Sequence, residues 1–385
     1  MIGTSYYFIQ NHYKNLTDLG VRMEMRRIHN FNAGPAALPS EVLLQIQEEL
    51  LDLQGAGLSI LEISHRSKEY EKINGETQQL LKELLNISLD YEVLFLQGGA
   101  STQFAMVPMN FLTAGSVASY VYSGTWAGKA IAEAQKFGQV AIVASSESSH
   151  FKKLPALDNM KVPQGTAYIH LTSNETIAGT QYKNFVDTGS IPLIADMSSD
   201  ILSRSIDVSD FALIYAGAQK NLGPSGVTVV IVRRELLQRI STPIPDIMNY
   251  RIHADSRSLY HTPPVFAVHI VNLVLKWMQA NGGVGGVENR NRAKADLIYD
   301  AIDDSEGFYS RLADRDSRSL MNVTFRTSNE ELEKHFLLES ERNGFVGLKG
   351  HRDAGHLRAS IYNAVTYEQC KALKEFMMDF QKRFG

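Results

Sequence analysis

Hydrophobic positions from about residue 40 to residue 280 form short continuous runs that alternate with stretches of helical spacing. The continuous runs predict strands at 91–99, 116–124, 140–145, 166–173, 191–199, 211–219 and 227–233. Helical spacing covers 40–53, which begins with a serine suited to cap a helix, and also 102–112 and 125–138. Repeated short strands with intervening helices are typical of a doubly wound, largely parallel sheet, so the pattern predicts an α/β fold. Ligands of such sheets gather at the carboxyl ends of the strands.

The pattern changes at a polar loop, 251–264, that ends in two prolines. Later segments predict a compact α+β unit, with helices at 294–302, 329–344 and 367–384 and strands at 321–326 and 356–362. We therefore expect a large domain over 28–280, whose first segment lies near a smaller C-terminal domain over 281–385. Residues 1–27 form a polar extension without the basic start and apolar core of a signal peptide, and Met25 could be the true start.

Composition narrows the possible classes of protein. The chain has 385 residues, of which 44% are hydrophobic and 21% charged, with a net charge of −4. These values are ordinary for a soluble globular protein and give no basic field for nucleic acid. The longest apolar stretch, 265–278, is broken by His269 and Lys276, so we expect no membrane span. The single cysteine, Cys370, excludes a disulfide framework or a CxxC metal site and fits the reducing cytoplasm.

Lys220 lies in a tight connection between two very apolar runs, in the stretch FALIYAGAQKNLGPSG. A lysine usually lies on a solvated surface, and in isolation that interpretation is favoured. Here small neighbouring residues leave room for a bulky group to dock against the amine. Because partial desolvation lowers the pKa of a lysine, Lys220 is a candidate nucleophile able to form a Schiff base.

Asp196 ends another predicted strand and lies 24 residues before Lys220. An isolated aspartate there would be read as a loop or helix-cap residue. The spacing corresponds to about one strand–connection–strand unit, so both side chains can reach one crevice. A lysine opposite an aspartate is the pair that pyridoxal phosphate needs, since the carboxylate keeps the pyridine nitrogen protonated.

The stretch LQGGASTQF, residues 96–104, predicts a strand, a glycine turn and a helix start. Backbone N–H groups at a helix start can bind a phosphate, although a plain strand–helix turn explains the same pattern. Trp126 lies at the end of another predicted strand and is one of two tryptophans. It could belong to the core, or it could be a stacking platform for a flat cofactor.

Several motifs in combination carry a resemblance to a known family: FNAGPAALP, EISHRSKEY, LQGGASTQF, TSNET, ADMSSDILSR, YAGAQKNLGPSG, TPP and GLKGHR with LRASIYNA. From about Asn30 onwards the chain resembles the phosphoserine aminotransferases of Bacillus-like bacteria, which are class V pyridoxal-phosphate enzymes. The resemblance implies an aspartate-aminotransferase-like fold (fold type I) and a homodimer with shared active sites.

The same resemblance implies a reaction. Phosphoserine aminotransferases convert 3-phosphohydroxypyruvate and L-glutamate to O-phospho-L-serine and 2-oxoglutarate in serine biosynthesis. A side role in pyridoxine biosynthesis is also implied. Carried over by position, Lys220 matches the Schiff-base lysine and Asp196 the partner of the pyridine nitrogen. The other cofactor positions are matched by Trp126 at the ring, Thr176 at the phenolic oxygen, and Ala100, Ser101 and Gln219 at the phosphate.

Two His-Arg dipeptides, His65-Arg66 and His351-Arg352, stand out with Arg358. A single surface arginine is commonplace, but a dianionic phosphate needs several cationic donors, and a carboxylate suits the planar fork of one arginine. The resemblance assigns Arg358 to the substrate α-carboxylate. It assigns the His-Arg pairs, one of them from the partner subunit, to the substrate phosphate. Since glutamate must use the same site, ping-pong kinetics are expected.

Two positions depart from the family pattern. In the family that this chain resembles, a loop before TPP reaches the cofactor phosphate of the neighbouring subunit, usually with the residues Asn-Thr. This chain has His261-Thr262 at those positions. Thr262 therefore carries over more directly than His261, although an imidazole can still donate a hydrogen bond. His356 stands where a glycine is usual, and we interpret it as variation at the rim of the site.

Other functions fit parts of the pattern. One is another fold type I enzyme, such as a serine– or alanine–glyoxylate aminotransferase, which would have no need for two His-Arg pairs. A cysteine desulfurase would need a cysteine on a mobile loop, whereas Cys370 falls in a helical pattern. A non-catalytic protein that binds pyridoxal phosphate or phosphate would have no reason to keep Lys220, Asp196 and Arg358 together.

Overall fold

The computed structural model describes residues 27–240, 243–351 and 355–385. Its α-helices within these ranges are α1 Ser40–Glu49, α2 Lys68–Leu84, α3 Gly99–Phe111, α4 Thr125–Ala134, α5 Arg234–Gln238, α6 Tyr250–Asp255, α7 Val265–Ala280, α8 Gly283–Asp303, α9 Glu330–Arg342 and α10 Tyr367–Phe384. The strands are β1 His29–Asn30, β2 Tyr91–Leu96, β3 Val117–Tyr122, β4 Gln139–Ser145, β5 Thr166–Thr172, β6 Asn174–Glu175, β7 Thr180–Gln181, β8 Leu193–Asp196, β9 Leu213–Gly217, β10 Thr228–Arg233, β11 Ser310–Arg311, β12 Asn322–Arg326, β13 Phe345–Val346 and β14 Leu357–Ser360.

A seven-stranded sheet has the order β2-β10-β9-β8-β5-β3-β4. The five strands from β9 to β4 pair in parallel, which confirms the predicted α/β fold with a largely parallel sheet. Strand β10 is antiparallel to both of its neighbours. The connection from β9 to β10 contains no crossover helix, and a connection that short can join only antiparallel strands.

Both faces of this sheet are buried, as alternate residues of β2 show. Val93 and Phe95 belong to one hydrophobic cluster, which also includes residues of α2 and α7. Leu94 and Leu96 belong to a second cluster, which includes residues of α3 and α4. Because successive side chains of a strand point to opposite faces, a strand buried on both sides needs the continuous apolar run seen here.

The C-terminal unit contains a three-stranded sheet in the order β11-β12-β14. Its hydrophobic cluster includes residues of α8 and α10 together with Phe31 near the start of the described chain. Strand β1 pairs in parallel with β13, so the segment at His29–Asn30 lies with this unit. We propose the division at residue 280 on these contacts, and the exact domain bounds stay a prediction.

Two details differ from the sequence-based expectations. Helix α1 ends at Glu49 rather than at residue 53, because the chain turns after it, with glycines of positive φ at Gly55 and Gly57. The expected polar loop 251–264 contains the short helix α6, whose first turn is capped by the side chain of Asn249. None of the described helices combines the length and apolar character needed to cross a bilayer.

Candidate active site

A cavity of about 380 Å³ lies at the carboxyl ends of β8 and β9, where ligand sites of parallel sheets are expected. Its volume lies within the range of small-molecule sites. Nine of the predicted site residues line it: Ala100, Ser101, Trp126, Thr176, Asp196, Gln219, Lys220, His351 and Arg358. The cavity therefore joins residues from both the large sheet and the C-terminal unit.

Lys220 follows β9 and projects its amine into contact with the β6–β7 hairpin. Its Nζ donates a hydrogen bond to Thr176 Oγ1 at 2.9 Å. Burial lowers the pKa of Lys220 to about 8, although the carboxylate of Asp196 acts in the opposite direction. An appreciable fraction of this amine is therefore neutral near pH 8, as a nucleophile requires.

Asp196 is the last residue of β8, and only 5% of it is exposed. Its Oδ1 accepts a hydrogen bond from the Ser198 backbone N–H at 2.9 Å. Burial raises the pKa of Asp196, and the hydrogen bonds from Ser198 and the charge of Lys220 oppose that rise. A buried carboxylate of this kind gains from a cationic or N–H partner inside the cavity.

The start of α3 forms one wall of the cavity through Gly98, Gly99, Ala100 and Ser101. Gly98 and Gly99 have φ values of 92° and 66°. A Cβ on Gly98 would lie 1.9 Å from Thr102 Oγ1, so glycine is required there. The first N–H groups of a helix have no partner within it and carry partial positive charge, which suits an anion such as a phosphate.

Trp126 lies in the first turn of α4 beside the cavity. The Lys220 amine is 5.6 Å from the centroid of its ring, and the exposed Lys129 amine is 4.5 Å from it. The indole Nε1 is buried, and none of the described residues accepts a hydrogen bond from it. A buried indole N–H normally has one, so this donor is available to a group in the cavity.

Arg358 extends from β14 into the cavity and is 7% exposed. Its Nη1 donates to the Thr176 carbonyl at 3.3 Å, whereas its Nε donates to no acceptor among the described residues. Among the described residues no carboxylate pairs with this guanidinium, and burial lowers its pKa. His351 lies beside it on the cavity wall. The geometry suits the binding of a carboxylate by Arg358.

Of the five other predicted residues, four do not line this cavity: His65, Arg66, His261 and Thr262. His65 is half-buried and Arg66 exposed, in the segment before α2. His261 lies in a neighbouring pocket that shares only Gly98 with the cavity. The side chain of Gln97 holds this loop, with its Nε2 3.2 Å from His261 Nε2 and 3.1 Å from the carbonyl oxygen of Thr262. Arg352 lies outside the described residues.

His356 was expected at the rim, and it is instead 6% exposed with a φ of 140°. It lines a neighbouring cleft of the C-terminal unit and not the Lys220 cavity. Burial lowers the pKa of His356 to about 4, so the imidazole is neutral at physiological pH. Its carbonyl would be 2.2 Å from a Cβ on Gly350, which explains why that position is glycine.

Two residues at this site were not predicted from the sequence. Thr172, at the end of β5, lines the cavity with a buried Oγ1 that has no hydrogen-bond partner in the described ranges. Glu175 is fully buried and accepts hydrogen bonds from the start of α4, which carries Trp126. One signal could have found Glu175: the TSNET motif places an acid three residues after the end of the largely buried strand β5.

Comparison with known proteins identifies the class. The family model described as "Aminotransferase class-V" matches residues 28–373. The chain belongs to the class-V aminotransferase family, as the sequence motifs predicted.

Individual relatives are closely similar over nearly their whole length. The phosphoserine aminotransferase of Geobacillus kaustophilus (strain HTA426) is 56% identical over 361 residues, which covers 94% of this chain and 100% of the relative. The solved phosphoserine aminotransferase of Bacillus circulans subsp. alkalophilus is 57% identical with a TM-score of 0.92, covering 93% of this chain and 99% of that one. A phosphoserine aminotransferase from Trichomonas vaginalis, solved with PLP bound, is 35% identical with a TM-score of 0.87, covering 91% and 100%. These likenesses confirm the predicted fold type.

Proposed function

We propose that the chain is a pyridoxal-phosphate-dependent transaminase that interconverts 3-phosphohydroxypyruvate plus L-glutamate and O-phospho-L-serine plus 2-oxoglutarate. The observation that carries this proposal is the convergence of Lys220, Asp196 and Arg358 on one cavity. Relatives named phosphoserine aminotransferase, at 56–57% identity and nearly full coverage, support the same reaction.

The residues of the cavity fit pyridoxal phosphate. Two buried polar atoms on its wall, Trp126 Nε1 and Thr172 Oγ1, have no hydrogen-bond partner among the residues that the structure describes. Asp196 would hold the pyridine N–H, Lys220 the aldehyde carbon, and the start of α3 the phosphate. When bound, the cofactor supplies an electron sink for the negative charge that develops on the substrate α-carbon.

Lys220 moves the proton in this reaction. Its amine would take the proton from the α-carbon of glutamate and deliver it to the aldehyde-derived carbon of the cofactor, and in the second half-reaction it would move a proton from that carbon to the α-carbon of the product. A pKa of about 8 suits both directions, because general acid–base catalysis is most efficient when the pKa lies near the working pH. Thr176, which accepts a hydrogen bond from this amine, holds it near the cavity wall.

Arg358 and His351 bind the substrate in this proposal. Arg358 holds the α-carboxylate that all four substrates share, since it is the buried arginine of the cavity. His351 and Arg352 contribute donors to the substrate phosphate. Glutamate must place its γ-carboxylate on the same donors, so the two half-reactions use one site in turn and ping-pong kinetics are expected.

We further propose a homodimer with shared active sites. His65, Arg66, His261 and Thr262 lie outside the cavity of their own chain and would reach the cavity of the partner subunit. An apolar surface in the segment 43–61 supports this proposal, because large exposed patches are typical of protein interfaces. Its exposed leucines are Leu43, Leu44, Leu50, Leu51, Leu58 and Leu61.

Hybrid dimers test the shared site. Lys220→Ala and Arg66→Ala should each lack activity alone. When the two variants are unfolded, mixed and refolded together, part of the activity should return. Restoration is expected because one of the two sites in a hybrid dimer would contain both intact residues. A monomeric mass by light scattering, or no recovery from refolded mixtures that do contain dimers, would contradict the shared site.

Spectroscopy and substrate exchange test the reaction. The purified chain should show the visible absorption of a lysine-bound cofactor, and Lys220→Ala should lack the covalent linkage. Glutamate should bleach that absorption and 3-phosphohydroxypyruvate should restore it. If glyoxylate restores it and 3-phosphohydroxypyruvate does not, the chain is a glyoxylate aminotransferase instead.

Two finer proposals concern the cell. We place the enzyme in the cytoplasm, on the support of its one buried, unpaired cysteine, Cys370. We also propose activity on the phosphorylated hydroxythreonine of pyridoxine synthesis, because that amino acid carries the same phosphate and α-carboxylate. Cell fractionation and a direct transaminase assay with that substrate test the two statements.

A further inference from the structure

Glu175 is a buried carboxylate that contacts the helix bearing Trp126. It is fully buried on the short strand β6. Its Oε2 accepts a hydrogen bond from the Trp126 backbone N–H at 3.2 Å, and its Oε1 accepts one from the Ala127 backbone N–H at 3.0 Å. The Ser123 hydroxyl donates to the same Oε1 at 3.3 Å. Three donors from one turn therefore converge on a single side chain 48 or more residues away in sequence.

The surrounding backbone is shaped to admit this carboxylate. A Cβ on Gly124 would lie 2.6 Å from Glu175 Cδ, so any larger residue would displace the side chain. No side chain within the turn caps α4, whose preceding residue is Gly124. Glu175 supplies that cap from another segment, where a negative charge also interacts favourably with the helix dipole.

We propose that Glu175 is a positioning residue that holds Trp126 against the cavity through the first turn of α4, and so sets the affinity for the cofactor. This inference rests on the proposed function, in which Trp126 stacks on the pyridine ring. Thr176, which follows Glu175, accepts the hydrogen bond from Lys220, so one hairpin strand fixes both the stacking residue and the amine.

Both oxygens accept hydrogen bonds only when the carboxyl is ionised, because a protonated carboxyl presents one O–H to its donors. Burial raises the pKa of Glu175 to about 7, and the backbone N–H donors oppose this rise. The charged or titratable groups that interact with it are Asp196, Lys220, Tyr122 and Tyr182. The contact with α4 should therefore weaken as the pH falls through about 7.

Glu175→Gln is the informative variant, since it keeps the shape but presents an amide NH₂ to one of the two backbone donors. Measured by equilibrium dialysis on the cofactor-free full chain at pH 8, its Kd for pyridoxal phosphate should rise roughly tenfold, the loss of one charge-assisted hydrogen bond. The affinities of the unchanged chain and the variant should converge below pH 7.

A double-mutant cycle separates positioning from a general effect. In a Trp126→Ala background, Glu175→Gln should change the Kd little, because its effect passes through the indole. A tenfold loss in both backgrounds would overturn the inference. In a Trp277→Phe background the emission of Trp126 should also shift on Glu175→Gln, and an unchanged spectrum would count against it.

Two further variants guard against misfolding. Gly124→Ala displaces the carboxylate without altering its chemistry, and it should reproduce the weaker binding if Glu175→Gln does not fold. Thr366→Ala removes the capping box of α10 and should lower Tm with the Kd unchanged. If the unchanged chain binds no pyridoxal phosphate, the proposed function itself fails. If it binds normally but the effects of Glu175→Gln and Trp126→Ala on the Kd are additive, only the role of Glu175 is refuted.

Discussion

Replacing Arg358 with methionine should stabilise the cofactor-free chain while it removes activity. The guanidinium is 7% exposed, has no carboxylate partner among the described residues, and makes one long hydrogen bond, 3.3 Å to the Thr176 carbonyl. Its Nε has no hydrogen-bond partner within the described ranges. A buried charge with so little compensation costs several kcal/mol in the folded state, so the change should gain about 2 kcal/mol after the lost packing and hydrogen bond are deducted. For a chain of this length that corresponds to roughly 2–4 °C in Tm.

Arg318 provides a control, because its side chain is also little exposed but is paired with a carboxylate. Its side chain is 9% exposed, and two of its nitrogens donate to Asp303 at 2.8 and 2.5 Å. The hydrogen bonds from Arg318 lower the pKa of Asp303, as expected for a stabilising pair. Arg318→Met should therefore lower the free energy of unfolding by about 1–3 kcal/mol, and Tm with it, since Asp303 loses both short hydrogen bonds and is left with the longer contact to Arg311 at 3.7 Å.

Thermal unfolding of the cofactor-free variants and steady-state kinetics of the loaded enzyme measure both effects. The kcat/KM of Arg358→Met should fall by roughly 30-fold to several thousandfold, the cost of leaving a buried carboxylate without its partner. Arg358→Lys keeps the charge but loses the planar fork, and its loss should be intermediate. If Arg358→Met lowers Tm as Arg318→Met does, groups of the chain itself offset the cost of burying this guanidinium. The inference that its charge is left unpaired for a ligand would then be wrong.

Three other changes have defined outcomes. Lys294→Met should lower the free energy of unfolding by about 3 kcal/mol, and Tm with it. The buried amine donates to the carbonyls of Ile361, Tyr362 and Val365 at 2.8–3.1 Å, and all three would lose that donor. Calorimetry of the cofactor-free chain measures this loss. Burial lowers the pKa of Lys220 to about 8 in the folded chain, whereas a lysine of the unfolded chain has a pKa of about 10.4. Between these two pH values the unfolded state binds more protons, so the stability of the cofactor-free chain should rise with pH. The rise should be smaller in Lys220→Met. Asp196→Asn should lower kcat by at least about a hundredfold, because the pyridine nitrogen would lose its carboxylate partner. It should also lower the pKa of Lys220 further, since the charge of Asp196 raises that pKa. Chemical labelling of the Lys220 amine as a function of pH measures this shift.

Lys220 and Asp196 could be placed together from sequence because their positions follow simple rules. Each comes directly after a continuous apolar run, and the carboxyl ends of parallel strands meet at one edge of the sheet. The structure brings both to one cavity as expected. Arg358 was assigned through the resemblance alone, because a strand of the C-terminal unit gives no sequence signal that it faces the large domain.

Glu175 shows what sequence patterns leave out. Its three donors lie at 123–127, directly after β3, and the parallel pairing of β3 with β5 brings that turn beside the segment that follows β5 and contains Glu175. A local motif cannot reveal a cap supplied by another segment. His356 illustrates the converse, since its unusual φ of 140° and its burial depend on packing that neighbouring residues do not specify.

The distribution of hydrogen bonds around the cavity explains how it can hold buried groups ready for a ligand. Behind the cavity, Asn322 joins the two units: its Oδ1 accepts from Asn174 at 2.8 Å, and its Nδ2 donates to Ser360 Oγ at 3.0 Å and to Tyr362 OH at 3.1 Å. A buried network with every polar group paired is rigid and specifies one arrangement. The hairpin and strand that carry Thr176 and Arg358 are held by this network. On the cavity wall the opposite holds, since Trp126 Nε1, Thr172 Oγ1 and Arg358 Nε lack hydrogen-bond partners in the described part of the chain. The cost of these unpaired groups falls where a bound cofactor and substrate can offset it, and the paired network prevents the chain from collapsing to satisfy them itself.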